Sequence, residues 1–196
     1  MNRLWRAASI MLLVLSASCV EAATVSTTSV VYFTVGGATP TEIFRAILHY
    51  GPRVGGSQSI ASIGTKAIED GGLKQTGGSC HVSGYSIHLT FVIRRPRIAN
   101  VGVLSAADRA AWQQMNDFII RHENEHKHNW LNCAARLDSE IARLSASSCG
   151  QLTSAANGLW QKMLASCDAL QHSFDAADSR ALEQQPFMVH ARGRDF

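Results

Sequence analysis

The cleanest pattern in the chain runs from Cys80 to Arg94, where Tyr85, Ile87, Leu89, Phe91 and Ile93 alternate with Ser86, His88, Thr90 and Arg94. A period of two puts the first set on one face of a strand and the second on the other, as in an antiparallel sheet with one buried side. Pro96 closes this run. A shorter stretch, Ser29 to Val35, is rich in β-branched and aromatic residues and stops at Gly36-Gly37, which predicts a first strand. Ser57 to Ile68 alternates more loosely through Ile60, Ser62, Ile63 and Ala67 and reads as a further strand. Gly71-Gly72 and Gly77-Gly78 then mark a turn-rich connection.

The other periodicity is helical. Thr39-Pro40-Thr41-Glu42 forms a capping box, with Thr39 as N-cap, proline in the first helical position and Glu42 reaching back. It opens a short helix through Ile43, Phe44, Ile47 and Leu48 that Gly51-Pro52 ends. A much longer helix starts at the Ser105 cap with Asp108 in its first turn. Trp112, Met115, Phe118 and Ile119, and later Leu131, Leu137, Ile141 and Leu144, carry it from about Ala106 to Ser145. Ser147-Ser148-Cys149-Gly150 breaks the pattern, and a second helix follows through Leu152, Leu159, Met163, Leu170 and Phe174 toward Leu182. The tail over 184–196 has little pattern and is expected to be poorly ordered.

Composition adds a compartment. Arg3 and Arg6 precede an apolar run from Ala7 to Val20 and small residues at Ala22-Ala23, which predicts a signal peptide over 1–22. The run is too short for a stable membrane span, and no later stretch approaches the roughly 18 apolar residues such a span needs. The chain is therefore expected to be exported, periplasmic or extracellular. Lipid attachment at Cys19 is the weaker alternative, because Ser16 stands where a lipobox normally carries leucine. A formal net charge of +3 with no basic run argues against nucleic acid as a partner. What remains, over 23–183, is one domain's worth of chain.

Cys80, Cys133, Cys149 and Cys167 lie beyond the leader, and an even number in an exported chain favours disulfides. Two long helices joined by a short break fold into an antiparallel hairpin, in which residues whose numbers share a constant sum lie level. A turn near Cys149-Gly150 sets that sum close to 300, the value that Cys133 and Cys167 give. A cross-hairpin bridge between them is the economical pairing and leaves Cys80 for Cys149.

The chemistry sits on the first long helix, where His122-Glu123-Asn124-Glu125-His126 reads HExxH. Histidines four apart share a helix side, so both imidazoles can hold one zinc ion (Zn2+) while the intervening glutamate handles a proton of a bound water. On the wheel the two histidines fall about 20° to either side of Cys133, so they face the partner helix if that cysteine does. The next segment does not supply a third ligand: Asn129 and Asn132 stand where a metzincin carries glycine and histidine. Glu140 shares the stripe but lies about 21 Å beyond His126 along the helix. The second helix has to provide it. Asp178 lies about 20° from the direction of Cys167 and Asp175 about 80°, so geometry puts Asp178 first with Asp175 close behind. Trp112, Trp130 and Trp160 read as core, and His88, His128, His172 and His190 as surface residues.

Val31-Tyr32-Phe33-Thr34-Val35-Gly36, Thr39 with Glu42, Gly51-Pro52, Gly77-Gly78-Ser79-Cys80, the HExxH helix and Phe174-Asp175 together resemble a bacterial family of predicted secreted zinc-dependent proteases (domain of unknown function 922). The resemblance covers nearly all of the chain beyond the leader. It implies a zinc peptidase with His122 and His126 as ligands, Glu123 as catalytic acid/base and a peptide or protein as substrate. Two positions depart from the family's pattern: Glu125 replaces a glycine, and Arg180 stands where a later histidine is expected.

The expected architecture is α+β, a small antiparallel sheet with a short helix packed on a long, disulfide-linked antiparallel helical hairpin carrying HExxH. The expected function is hydrolysis of peptide bonds by zinc-activated water. The competing class is a catalytically degenerate exported zinc-binding or protein-interaction module.

Overall fold

The structure, a computed structural model, describes residues 23–193; the expected leader with Cys19, and the last three residues, lie outside this range. The central element is β5 (Ser79–Ile98). It pairs antiparallel with β4 (Ser62–Thr76) from Ser62 opposite Arg94 to Thr76 opposite Ser79. Gly77 and Gly78 close this hairpin with φ of 61° and 83°, the type I′ turn that only residues tolerant of positive φ can form. Gly71 and Gly72 lie inside β4, at a register shift between Asp70 and Gly72, rather than in a connection.

On the other side of β5 lies β1 (Ala23–Val35), in parallel, with Ala23 opposite Ser86 and Val35 opposite Ile98. The antiparallel arrangement thus holds for β4 and β5, and β1 completes a mixed sheet. It can run parallel because the chain crosses between the two strands through α1 (Pro40–Tyr50), the two-residue ribbon β2 (Arg53–Val54) with β3 (Ser57–Gln58), and β4.

A 3₁₀ turn (Val101–Val103) leads into α2 (Ala106–Ile141). Its Ser105 cap accepts from the Asp108 N–H at 3.1 Å. After α2 the chain forms β6 (Ser145–Ala146), which pairs antiparallel with Cys80 and His81 at the start of β5, and turns into α3 (Cys149–Glu183). Two disulfides, Cys80–Cys149 and Cys133–Cys167, tie the hairpin turn to the sheet and α2 to α3.

The tail is not frayed through its described part. Pro186–Ala191 forms a short α4 whose Phe187 and Met188 are buried, with Phe187 edge-on to Trp112 at 5.1 Å. His190 Nδ1 lies 2.9 Å from Asp108 Oδ1, and the Thr41 hydroxyl donates to the Ala191 carbonyl. Six residues are too few to display a helical period, so their apolar side finds its meaning only in tertiary contacts.

These pieces make two cores. Ile87, Leu89 and Phe91 of β5 pack on Ala134, Leu137 and Ile141 of α2. The other core joins Val35, Ile43, Ile47, Ile98, Trp112, Met115, Ile119, Phe187 and Met188. Helix α2 thus serves one core with its first half and the other with its second, and from Ile120 to Asn129 it contributes to neither. The HExxH residues occupy that gap, where polar side chains do not interrupt apolar packing.

Candidate metal centre

Helical spacing brings His122 Nε2 and His126 Nε2 to 3.0 Å from each other. From α3, Asp175 presents Oδ1 at 3.3 Å from the first and 2.9 Å from the second. A tetrahedral zinc with bonds of about 2.0–2.1 Å spaces its ligand atoms about 3.3 Å apart, so these three donors need only small adjustments to share one ion. The group His122, His126 and Asp175 can therefore hold a metal.

The outer nitrogens are also engaged. His122 Nδ1 faces Asp178 Oδ2 at 2.8 Å, and His126 Nδ1 faces Gln171 Oε1 at 2.6 Å. Gln171 is itself oriented, its Nε2 donating to the His126 carbonyl at 3.2 Å. Donation of each Nδ1–H to these oxygens leaves an Nε2 lone pair directed at Asp175, the arrangement that orients metal-binding imidazoles. Phe174 stacks on His122 at 4.9 Å and meets the His126 ring edge-on at 5.0 Å, which limits rotation of both.

Glu123 is 3% exposed, and its Oε2 has no hydrogen-bond partner among the described residues. Burial, and then the neighbouring Asp175 carboxylate, push its carboxyl up to about 8, against a smaller opposing pull from Arg95. A buried oxygen without a partner is costly unless a proton, a water or an ion satisfies it. Glu123 stands in the wall of a cleft of 470 Å³, with His122, His126, Trp130 and Asp175 on the helices and Ala61, Ile63 and Thr65 on the sheet side.

The hairpin register read from the cysteines carries over to this site: His122 meets Asp178, whose number completes the same sum as Cys133 and Cys167. The two acids divide the work differently from their order on the wheel. Asp178 takes the outer nitrogen of His122, whereas Asp175 meets the inward nitrogens of both histidines. Gln171 was not legible as part of the centre, although it lies one turn before residue 174, the position level with His126. His88, exposed, contacts Ser86; His172, exposed at the cleft, contacts Asp168; and His190 pairs with Asp108. Trp112, Trp130 and Trp160 belong to the cores.

No helix among the described residues is long and apolar enough to cross a membrane. No curated protein and no solved structure matches the chain. A family model does match: that of the bacterial protein of unknown function (DUF922), over residues 30–181, a span that includes both histidines, Glu123, Gln171, Asp175, Asp178 and all four bridged cysteines. With most of its length covered, this chain belongs to that family.

Proposed function

We propose that this protein is an exported zinc metallopeptidase, acting in the periplasm or outside the cell on peptide or protein substrates. His122, His126 and Asp175 are its zinc ligands, Asp178 and Gln171 hold the two imidazoles, and Glu123 is the catalytic acid/base. The observation that carries this reading is the convergence of three donor atoms at the wall of a cleft beside the buried Glu123, whose Oε2 has no hydrogen-bond partner among the described residues. The two disulfides fit an exported protein.

A zinc ion, when bound, lowers the pKa of a water to about 7 and polarises a carbonyl. The chain's own groups do the rest. Asp178 and Gln171 keep the Nε2 lone pairs aimed, and Phe174 packs against both rings. The Glu123 carboxylate would take up a proton and return it to the leaving amine. Burial favours that protonated form, and positive charge nearby favours release.

Zinc content and peptide hydrolysis of the oxidised mature protein, measured beside Glu123→Gln, test the reading. Zinc is expected in both, and hydrolysis in the variant is expected to fall by about 100-fold or more. Zinc in both with hydrolysis in neither would sink the peptidase and leave a metal-binding module. No zinc in the unmutated protein would sink the metal centre as well.

A further inference from the structure

Two cavities meet at His122, Glu123 and Asp175. The cleft of 470 Å³ runs from them past His126 and Trp130 toward Asp168 and His172. A second space, of 220 Å³, opens from the same three residues on another side, walled by Ile60, Ala61, Phe118, Ile119 and Leu182. The first four of these are at most 9% exposed and belong to the packed interior, so the wall is preformed rather than assembled around a ligand. Three carboxylates line it: Asp178, which faces His122 Nδ1, Asp175, which faces the two Nε2 atoms, and Glu123, whose Oε2 has no hydrogen-bond partner among the described residues. Among the described residues no lysine or arginine lines it. An apolar cavity of roughly 150 Å³ takes a benzene ring. This one has room for a branched aliphatic or phenyl side chain; a carboxylate would meet acids and no cation among the described residues, and an ammonium group would have to leave water for a wall that is mostly apolar.

We infer that this pocket receives an uncharged apolar side chain of the ligand that reaches the metal centre, and thereby selects substrates by a residue next to the bond being cut. The inference rests on the zinc reading of the site and gives it a substrate class. Glu123 and Asp175 line both cavities, so a ligand engaged at the centre extends into the cleft with its chain and into the pocket with one side chain.

Three hydroxamic acids test this on the zinc-loaded mature protein: acetohydroxamic acid, 4-methylpentanohydroxamic acid and 6-aminohexanohydroxamic acid. Affinities are read by calorimetry, and pocket occupancy by the methyl resonances of Ile60, Ile119 and Leu182. The branched compound is expected to bind at least about tenfold more tightly than acetohydroxamic acid, from the methylene groups it buries. It should move those methyl signals, and the amine-bearing compound should gain much less. Ala61→Leu, which fills the pocket, should bring the ratio of branched to acetyl affinity toward one. If the variant does not fold, the methyl shifts of the unmutated protein still decide. Equal affinity of the branched and acetyl compounds, or the largest gain for the amine, would overturn the pocket assignment while leaving the zinc centre standing. Absence of zinc uptake and of any hydroxamate binding would overturn the zinc reading, and this inference with it.

Discussion

Replacing Glu123 by glutamine is expected to stabilise the metal-free protein, and only above the acidic range. The carboxyl is held at about 8, against 4.5 when free, chiefly by burial and secondarily by the Asp175 carboxylate. Because the folded-state value is the higher one, the folded protein binds this proton more tightly than the unfolded chain does. The associated stability is fully present below about 4.5 and is lost as pH rises to about 8. That gap corresponds to at most about 5 kcal/mol at about 1.4 kcal/mol per pKa unit. It is a large share of the roughly 5–15 kcal/mol by which domains are stable. Glutamine has nearly the same shape and carries no charge at any pH, so it avoids the loss. Urea unfolding in the presence of a chelator, followed by circular dichroism between pH 4 and pH 9, measures the effect. The two proteins should nearly coincide at pH 4. At pH 9 the variant's midpoint should be higher by up to about 2 M for a urea slope near 2 kcal/mol/M. A variant no more stable than the parent at pH 9, or a gap that persists unchanged at pH 4, would refute the claim that Glu123 is a charge-averse group in a desolvated site. Bound zinc should narrow the difference, because a dication beside the carboxylate favours its ionised form.

Asp178→Asn is expected to weaken zinc binding by about 10–100-fold, the usual cost of losing a group that orients a ligand, and Asp175→Asn by more, since it removes a donor. Competition titration with a zinc indicator measures both, and a larger loss for Asp178→Asn would exchange their roles. The Cys133→Ser, Cys167→Ser double variant should lose about 4 kcal/mol of unfolding stability for a closed loop of this length, the two cysteines being 34 apart in sequence. It should also take up zinc less well, because the buried Cys167 ties α3 to α2 eight residues, about two turns, before Asp175 and helps to set where that carboxylate lies. Zinc affinity unchanged by the double variant would mean that the hairpin contacts position Asp175 without the bridge.

Much of this centre is local physics, legible in the sequence. A period of two in β5 and the cap at Ser105 follow from backbone geometry that repeats from residue to residue. The hairpin register follows from one turn and two cysteines, and it brings His122 level with Asp178. Level alone does not say on which side of the seam a side chain ends. Asp178 points along the direction of Cys167 and meets the nearer nitrogen of His122. The Nε2 atoms project off the seam toward the cleft, where Asp175, about 80° away on the wheel, is the acid that reaches them.

The sequence by itself determined the elements that a few neighbouring residues control, namely the capped helices, the buried face of β5 and the HExxH pair, and through the hairpin turn it pointed to the pairing of the cysteines. Only the tertiary structure decided the parallel seating of β1, the docking of α4, the choice of Asp175 over Asp178 at the inward nitrogens, the part played by Gln171, and the two cavities that meet at Glu123. Each depends on the rotation and separation of packed elements far apart in the chain. Those quantities are set by how whole surfaces fit, and no local period encodes them.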